Sequence, residues 1–171
     1  VGTATLAIAG ALLARRIAEG IEEGLEGRID FWKAALSIFR TNPLLGTGPE
    51  TFFAHFAAHR PVEHAVEWEL VTSNSAHSVP LGFLSGGGLV LATAYLFIIA
   101  VIGYFGVQAI RGAEPRQRLL YVAVFASWVT YHLQSLVSMD GPGLIYIQWI
   151  LGGVLLAGGA PDSLPARSLT K

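Results

Sequence analysis

Apolar residues in the C-terminal half of the chain come in long runs with little polar interruption, and polar residues gather at the run ends. Val79 to Ile110 is the longest run, broken only by Pro80 and by Ser85-Gly86-Gly87-Gly88. As one helix it would measure about 48 Å, at about 1.5 Å per residue, against a hydrocarbon core about 30 Å thick. The excess predicts a bend or re-entrant entry near Pro80 and Gly86–Gly88, with a full span from Leu89 to Val107. Leu119 to Val137 forms a second run and Leu144 to Gly158 a third, separated by the tight turn Met139-Asp140-Gly141-Pro142-Gly143. Such runs are the signature of membrane-spanning helices. At the other end, Val1 to Ala14 is uncharged and apolar but too short to span. It reads as the end of a helix whose start is missing, which makes the chain a C-terminal fragment.

Between these blocks the period changes. Ile17, Ile21 and Leu25 give residues 16–27 a weak amphipathic pattern, loosened by Gly20 and Gly24. Residues 28–40 make a better helix, with Ile29, Trp32, Leu36 and Phe39 on one face and Arg28, Lys33, Ser37 and Arg40 supplying polar positions. Trp32 and the basic residues suit a helix lying along a membrane interface. Pro43 ends it, because Asn42 before a proline is pushed from the α region. Asn42 to Pro49 is then a turn-rich loop whose glycines can take positive φ. Glu50 to Arg60 returns to helix, Pro61 breaks it, and Val62 to Thr72 shows no assignable period.

The expectation is an all-α, polytopic integral membrane protein. Its segments are the end of a truncated span (1–14), an extracytoplasmic helical segment (15–78) and a long or bent transmembrane segment (79–110). A cytoplasmic loop (111–118), a transmembrane helix (119–138), an outer turn (139–143), a last transmembrane helix (144–159) and a cytoplasmic tail (160–171) follow. Orientation rests on Arg111, Arg116 and Arg118 in the short loop and on Arg167 and Lys171 in the tail, placed inside by the positive-inside rule. Composition agrees: 53% of residues are hydrophobic and only 13% charged, against about 25% charged in soluble domains. A net charge of -1 gives no electrostatic case for a nucleic-acid partner. With no cysteine, disulfides and thiolate metal sites are excluded.

Candidate chemistry sits where polar runs meet apolar ones. In Ser73-Asn74-Ser75-Ala76-His77-Ser78 a histidine stands at the mouth of a hydrophobic segment, where it can titrate near neutrality and act shielded from bulk water. The plainer alternative is that His77 caps a membrane helix beside Ser78. His132 lies inside an apolar run with Trp128 and Ser135 one turn to either side; it is either a functional intramembrane histidine or a packing one bonded to a neighbouring carbonyl. Asp140 reads as a turn-starting residue, and nothing further is assigned to it. A rival chemistry is a metal site on His55 and His59, four apart, with His64, Glu63 or Glu67 adding a ligand. No His-Glu-x-x-His pattern supports it.

Laid out in this order, the chain resembles the O-antigen ligase and polymerase family of bacterial envelope glycosyltransferases. Gly27-Arg28-Ile29-Asp30-Phe31-Trp32-Lys33-Ala34-Ala35-Leu36 resembles the family's arginine-tryptophan helix, and Asn42 to Phe52 its Pro-Leu-Leu-Gly-x-Gly loop. Ala76-His77-Ser78 with Gly88 is similar to its histidine, then Asn, Ser or Gln, then nine residues and a glycine. Tyr131-His132-Leu133-Gln134-Ser135 through Trp149-Ile150-Leu151-Gly152-Gly153 resembles its terminal helix pair. There are departures: Leu91 stands where the motif has a last glycine, and Ser78 where asparagine is commoner.

The resemblance implies the C-terminal part of a multi-helix GT-C-like bundle in the bacterial cytoplasmic (inner) membrane. The implied reaction transfers a glycan from an undecaprenyl-diphosphate carrier to an acceptor hydroxyl on a glycan, lipid or protein, at the outer face, without cofactor or metal. Ligase, polymerase and protein O-oligosaccharyltransferase share this scaffold. By the same resemblance Arg28 matches the essential arginine, a guanidinium able to grip diphosphate bidentately, with an interface-snorkelling arginine as the alternative. His77 matches the essential histidine, as base toward the acceptor or as hydrogen-bond donor to the diphosphate. Ser78, Arg40, Arg60 and His132 are candidate substrate contacts, and solvated surface charge is the alternative for the two arginines. A fragment lacking the preceding helices is expected to be inactive alone. The different-class alternative is a non-enzymatic membrane protein such as a glycan-lipid transporter subunit. Charges buried mid-span would favour that reading, whereas here the ionisable residues cluster toward the outer side.

Overall fold

The structure, a computed structural model, describes residues 15, 16, 24 and 27–160. The expected helix end at 1–14, most of the weak amphipathic stretch at 16–27 and the tail carrying Arg167 and Lys171 lie outside the described residues. Every regular element among those described is a helix: α1 (27–41), α2 (Phe52–His59), α3 (Val62–Glu67), α4 (Val79–Gly112), α5 (Pro115–Ser135) and α6 (Pro142–Gly159). The chain forms two compact units, Val1–Leu89 and Val90–Lys171, and α4 runs from the first into the second.

In the first unit the face of α1 that packs inward is Phe31, Ala34, Ala35 and Ile38, spaced three, four and seven apart. The face expected from Ile29, Trp32, Leu36 and Phe39 is not this one, and Ile29 and Leu36 are exposed. Two alanines let other backbone come close, so the small face packs against protein and the bulky face is left outward. Against it lie Phe52 and Phe56 of α2 and Ala76 of the segment before α4. The Ser37 hydroxyl and His59 Nδ1, 2.9 Å apart, add a polar tie between α1 and α2. Residues 62–67, where the sequence pattern assigned nothing, form the short helix α3 and bring His64 into the same core.

The loop after α1 and the first part of α4 are joined backbone to backbone. Gly88 breaks α4 with φ 63° and ψ -162°, so carbonyls normally taken up by the helix ladder become available to other donors. Ser85 C=O accepts the Thr47 N–H at 3.1 Å, Gly86 C=O accepts the Gly48 N–H at 2.8 Å, and the Leu89 N–H donates to Pro43 C=O at 2.9 Å. Glycine is required on both sides of this joint. Gly46 (φ +67°) has the Gly86–Gly87 peptide where a Cβ would go, and Gly88 has the Leu44 carbonyl. The break thus falls in the triple-glycine stretch, while Pro80 sits in the first turn of α4, where its missing N–H costs nothing.

In the second unit the core is Ile102 of α4, Trp128 of α5 and Leu155 of α6, with Ile99, Val124, Phe125, Val129, Leu151 and Leu156 around it. α4 and α6 are each long and apolar enough to cross a membrane. Their outer surfaces stay apolar: Phe97 is 69% and Ile150 66% exposed. A helix apolar on its exposed side suits lipid and not water. α5 is more polar and does not meet that measure, because its 21 residues include Arg116, Arg118, Ser127, Thr130, His132 and Gln134.

Alanine at Gly46 or Gly88 combines a left-handed backbone penalty with an overlap against peptide, so each should destabilise the protein by about 2–5 kcal/mol. Gly82→Ala is the control, since a Cβ there meets open space. Thermal unfolding in detergent should show a large fall for the first two variants and none for the third.

Candidate functional site

His77 ends the stretch that leads into α4 and adopts φ 50°, a left-handed conformation unusual for a side chain with a Cβ. Its N–H donates to the Ser75 hydroxyl at 3.4 Å, and Ser75 C=O accepts the Ser73 hydroxyl at 2.7 Å, so the chain before the helix is folded on its own serines. Ser78, next in line, is buried, and its carbonyl accepts the Gly82 N–H as α4 begins. The left-handed turn at His77 presents its ring to α1, where it stacks on Phe31 with centroids 5.0 Å apart and planes 24° from parallel.

Arg28 lies one turn before Phe31 on α1, on the same side of the helix. Burial lowers the pKa of His77 below the ordinary histidine value, and the nearby Arg28 charge lowers it further. The structure therefore brings Arg28 and His77, far apart in sequence, into one electrostatic neighbourhood. The Arg28 charge acts on an imidazole whose protonated form burial already disfavours. The arrangement can hold an anionic group at the guanidinium and take up a proton at the imidazole.

Phe31 is what the sequence reading did not single out. It lies three residues after Arg28, which is enough to put both on one side of a helix. Phe31 also meets His64 (centroids 5.9 Å), which packs edge-on to Phe56 at 5.5 Å. His64 is 3% exposed, and its Nδ1 has no hydrogen-bond partner among the described residues. His55 and His59 have ring centroids 6.3 Å apart, and His59 Nδ1 already meets Ser37. No three His, Asp or Glu side chains converge as a metal-ligand group among the described residues, and His64 is enclosed by aromatic rings away from that helix face.

The remaining candidates are placed differently. The Arg60 guanidinium reaches the carbonyls of Trp68, Glu69 and Val71 at 3.3–3.4 Å, so it holds the turn after α3 in shape. Arg40 is exposed near the end of α1. His132 belongs to the second unit: its Nδ1 is 3.4 Å from the Tyr95 hydroxyl and its ring lies edge-on to Trp128 at 4.3 Å. Asp140 accepts a 2.6 Å hydrogen bond from the Tyr131 hydroxyl, which ties the turn before α6 back to α5.

A family model described as O-antigen ligase matches residues 3–96. That stretch contains Arg28, Phe31, the glycine loop, His77 and the Gly88 break; the helix pair at 131–153, including His132, lies beyond it. No curated protein and no solved structure gave a match. The matched stretch covers more than half of the 171 residues, and the chain belongs to the O-antigen ligase family.

Proposed function

We propose that the full protein transfers a glycan from an undecaprenyl-diphosphate carrier to an acceptor hydroxyl at the outer face of the bacterial inner membrane, with Arg28 and His77 carrying the reaction. The observation that supports it is an Arg28 charge acting on a His77 imidazole that stacks on Phe31 of the same helix. In the reaction the acceptor oxygen attacks the anomeric carbon of the donor and its proton passes to the free ring nitrogen of His77. The bond from that carbon to the carrier phosphate breaks, and the diphosphate leaves with the electron pair. Arg28 neutralises the charge that grows on the departing oxygen, the point at which electrostatic stabilisation acts on the barrier. Base action is favoured over donation from an imidazolium because burial and Arg28 both disfavour the protonated ring. On this reading the protein is a multi-pass enzyme in which α5 also crosses, with residues 15–78 outside.

Arg28→Lys keeps the charge but loses the planar two-pronged grip. Losing one charge-assisted hydrogen bond of about 1.5–3 kcal/mol should slow transfer roughly ten- to a hundredfold. A transfer assay in membranes at matched protein levels checks this; near-wild-type turnover would leave Arg28 as an interface arginine only. His77→Ala should abolish transfer while insertion stays near normal.

The pH profile carries a sign. With His77 acting neutral and its pKa lowered, activity should hold at pH 7 and fall only as the pH drops below the ordinary histidine range, near 6.5. A rate that rises as the solution is acidified through that range would assign His77 to hydrogen-bond donation instead.

With Arg28 supplying the positive charge, transfer should survive chelation of divalent ions. Loss in EDTA with recovery on adding a divalent ion would point to a metal-dependent step. For topology, a single cysteine at Ala58 should react with an impermeant reagent in intact cells, and one at Ala113 should not. The reverse pattern inverts the orientation.

A further inference from the structure

Phe31 is neither a charge nor a proton carrier, yet it is the surface against which the proposed base lies. The contact is flat: centroids 5.0 Å apart and planes 24° from parallel. Phe31 itself packs against Phe56 (centroids 5.5 Å apart, planes at 65°) and His64 (5.9 Å). Phe56 is 1% exposed and His64 3%, so this backing is part of the core and cannot swing away without opening it. His77 has the converse character: it sits in a left-handed turn outside any helix, where neighbours on the chain do little to fix a ring.

We infer that Phe31 is a positioning residue for His77, a rigid shelf that orients the imidazole and covers one of its faces. The inference rests on the reading of His77 as the base, and it adds a part that charge and proton chemistry alone would not require. The orientation matters because a base must meet the acceptor proton within hydrogen-bond reach in a narrow range of directions. The cover matters because water removed from one face of the ring disfavours the imidazolium. The charged and titratable groups around the stack are few. Arg28 lies on α1 one turn away, Asp30 and Lys33 on α1 bond to each other at 2.9 Å, Glu63 of α3 acts on Lys33, and His64 packs against Phe31.

The test uses the full-length protein in membranes, with a lipid-linked glycan donor and its acceptor, and compares Phe31→Leu, Phe31→Met and Phe31→Tyr across the pH range. Leucine and methionine keep apolar volume but cannot cover an aromatic face; tyrosine can. The expected result for Leu and Met is transfer slowed about tenfold or more, with the acidic limb of the pH profile moved upward by about half a unit or more. Phe31→Tyr should keep the wild-type limb. A lower rate with an unmoved limb in both Leu and Met variants, or failure of both to accumulate while Tyr does, would make Phe31 a packing residue only and overturn the proposal. His77→Ala separates the two levels. If it is active, the base assignment falls; if it is inactive while the Leu and Met limbs stay in place, only the shelf falls.

Discussion

The joint between the glycine loop and the broken α4 sets the geometry of the first unit. Three backbone hydrogen bonds cross it in both directions, Thr47 and Gly48 donating to α4 and Leu89 donating back to Pro43. A helix normally turns its amides inward on its own ladder and offers nothing to a neighbouring chain along its length. Here one left-handed glycine opens the ladder, and the loop closes it again from outside. The consequence is positional. The segment that carries His77 is the lead-in to α4, and the loop that grips α4 is the continuation of the helix carrying Arg28. Fixing loop to helix brings the two ends of the proposed chemistry onto one frame.

That division of labour explains why so much glycine and so little charge surrounds the candidate site. The joint needs positions without side chains, and the proposed chemistry needs one cation and one neutral base. An aromatic core of Phe31, Phe56 and His64 fills the space between. Arg60, an auxiliary candidate from the sequence, is drawn instead to three carbonyls of the turn at 68–71, whose partial charges suit a guanidinium. Cation identity alone does not separate a substrate contact from an internal strut; the acceptors within reach do.

The sequence was most informative where the physics is one-dimensional. The overlong apolar run required a break, and the triple glycine was the place with the chemistry to supply it, as Gly88 does. It was least informative where faces compete. On α1 two stripes run side by side: counting large apolar residues picked out Ile29, Trp32, Leu36 and Phe39 as a membrane-interface face, and the stripe with Ala34 and Ala35 that packs against protein went unremarked. Alanine scores weakly as a hydrophobe and strongly as a spacer, and periodicity cannot tell which will decide. The helix at 62–67 was missed for a related reason: its exposed Val62 and Val66 and buried His64 invert the usual relation of polarity to burial. Proximity of Arg28 to His77 was legible only through resemblance, since nothing local in either stretch refers to the other.

The left-handed backbone at His77 narrows what could ever replace it. Beyond glycine, the side chains found with some ease at positive φ are asparagine, aspartate and histidine. Of that short set only histidine exchanges a proton near neutral pH. Aspartate would form an internal ion pair with Arg28 and so silence the cation as well as the base, while asparagine and glycine would leave a cation with no base beside it. Accessible change at this position therefore leads from a working pair to one of two kinds of inert scaffold, and a descendant that kept the fold while shedding the reaction would be expected to carry one of those three residues there.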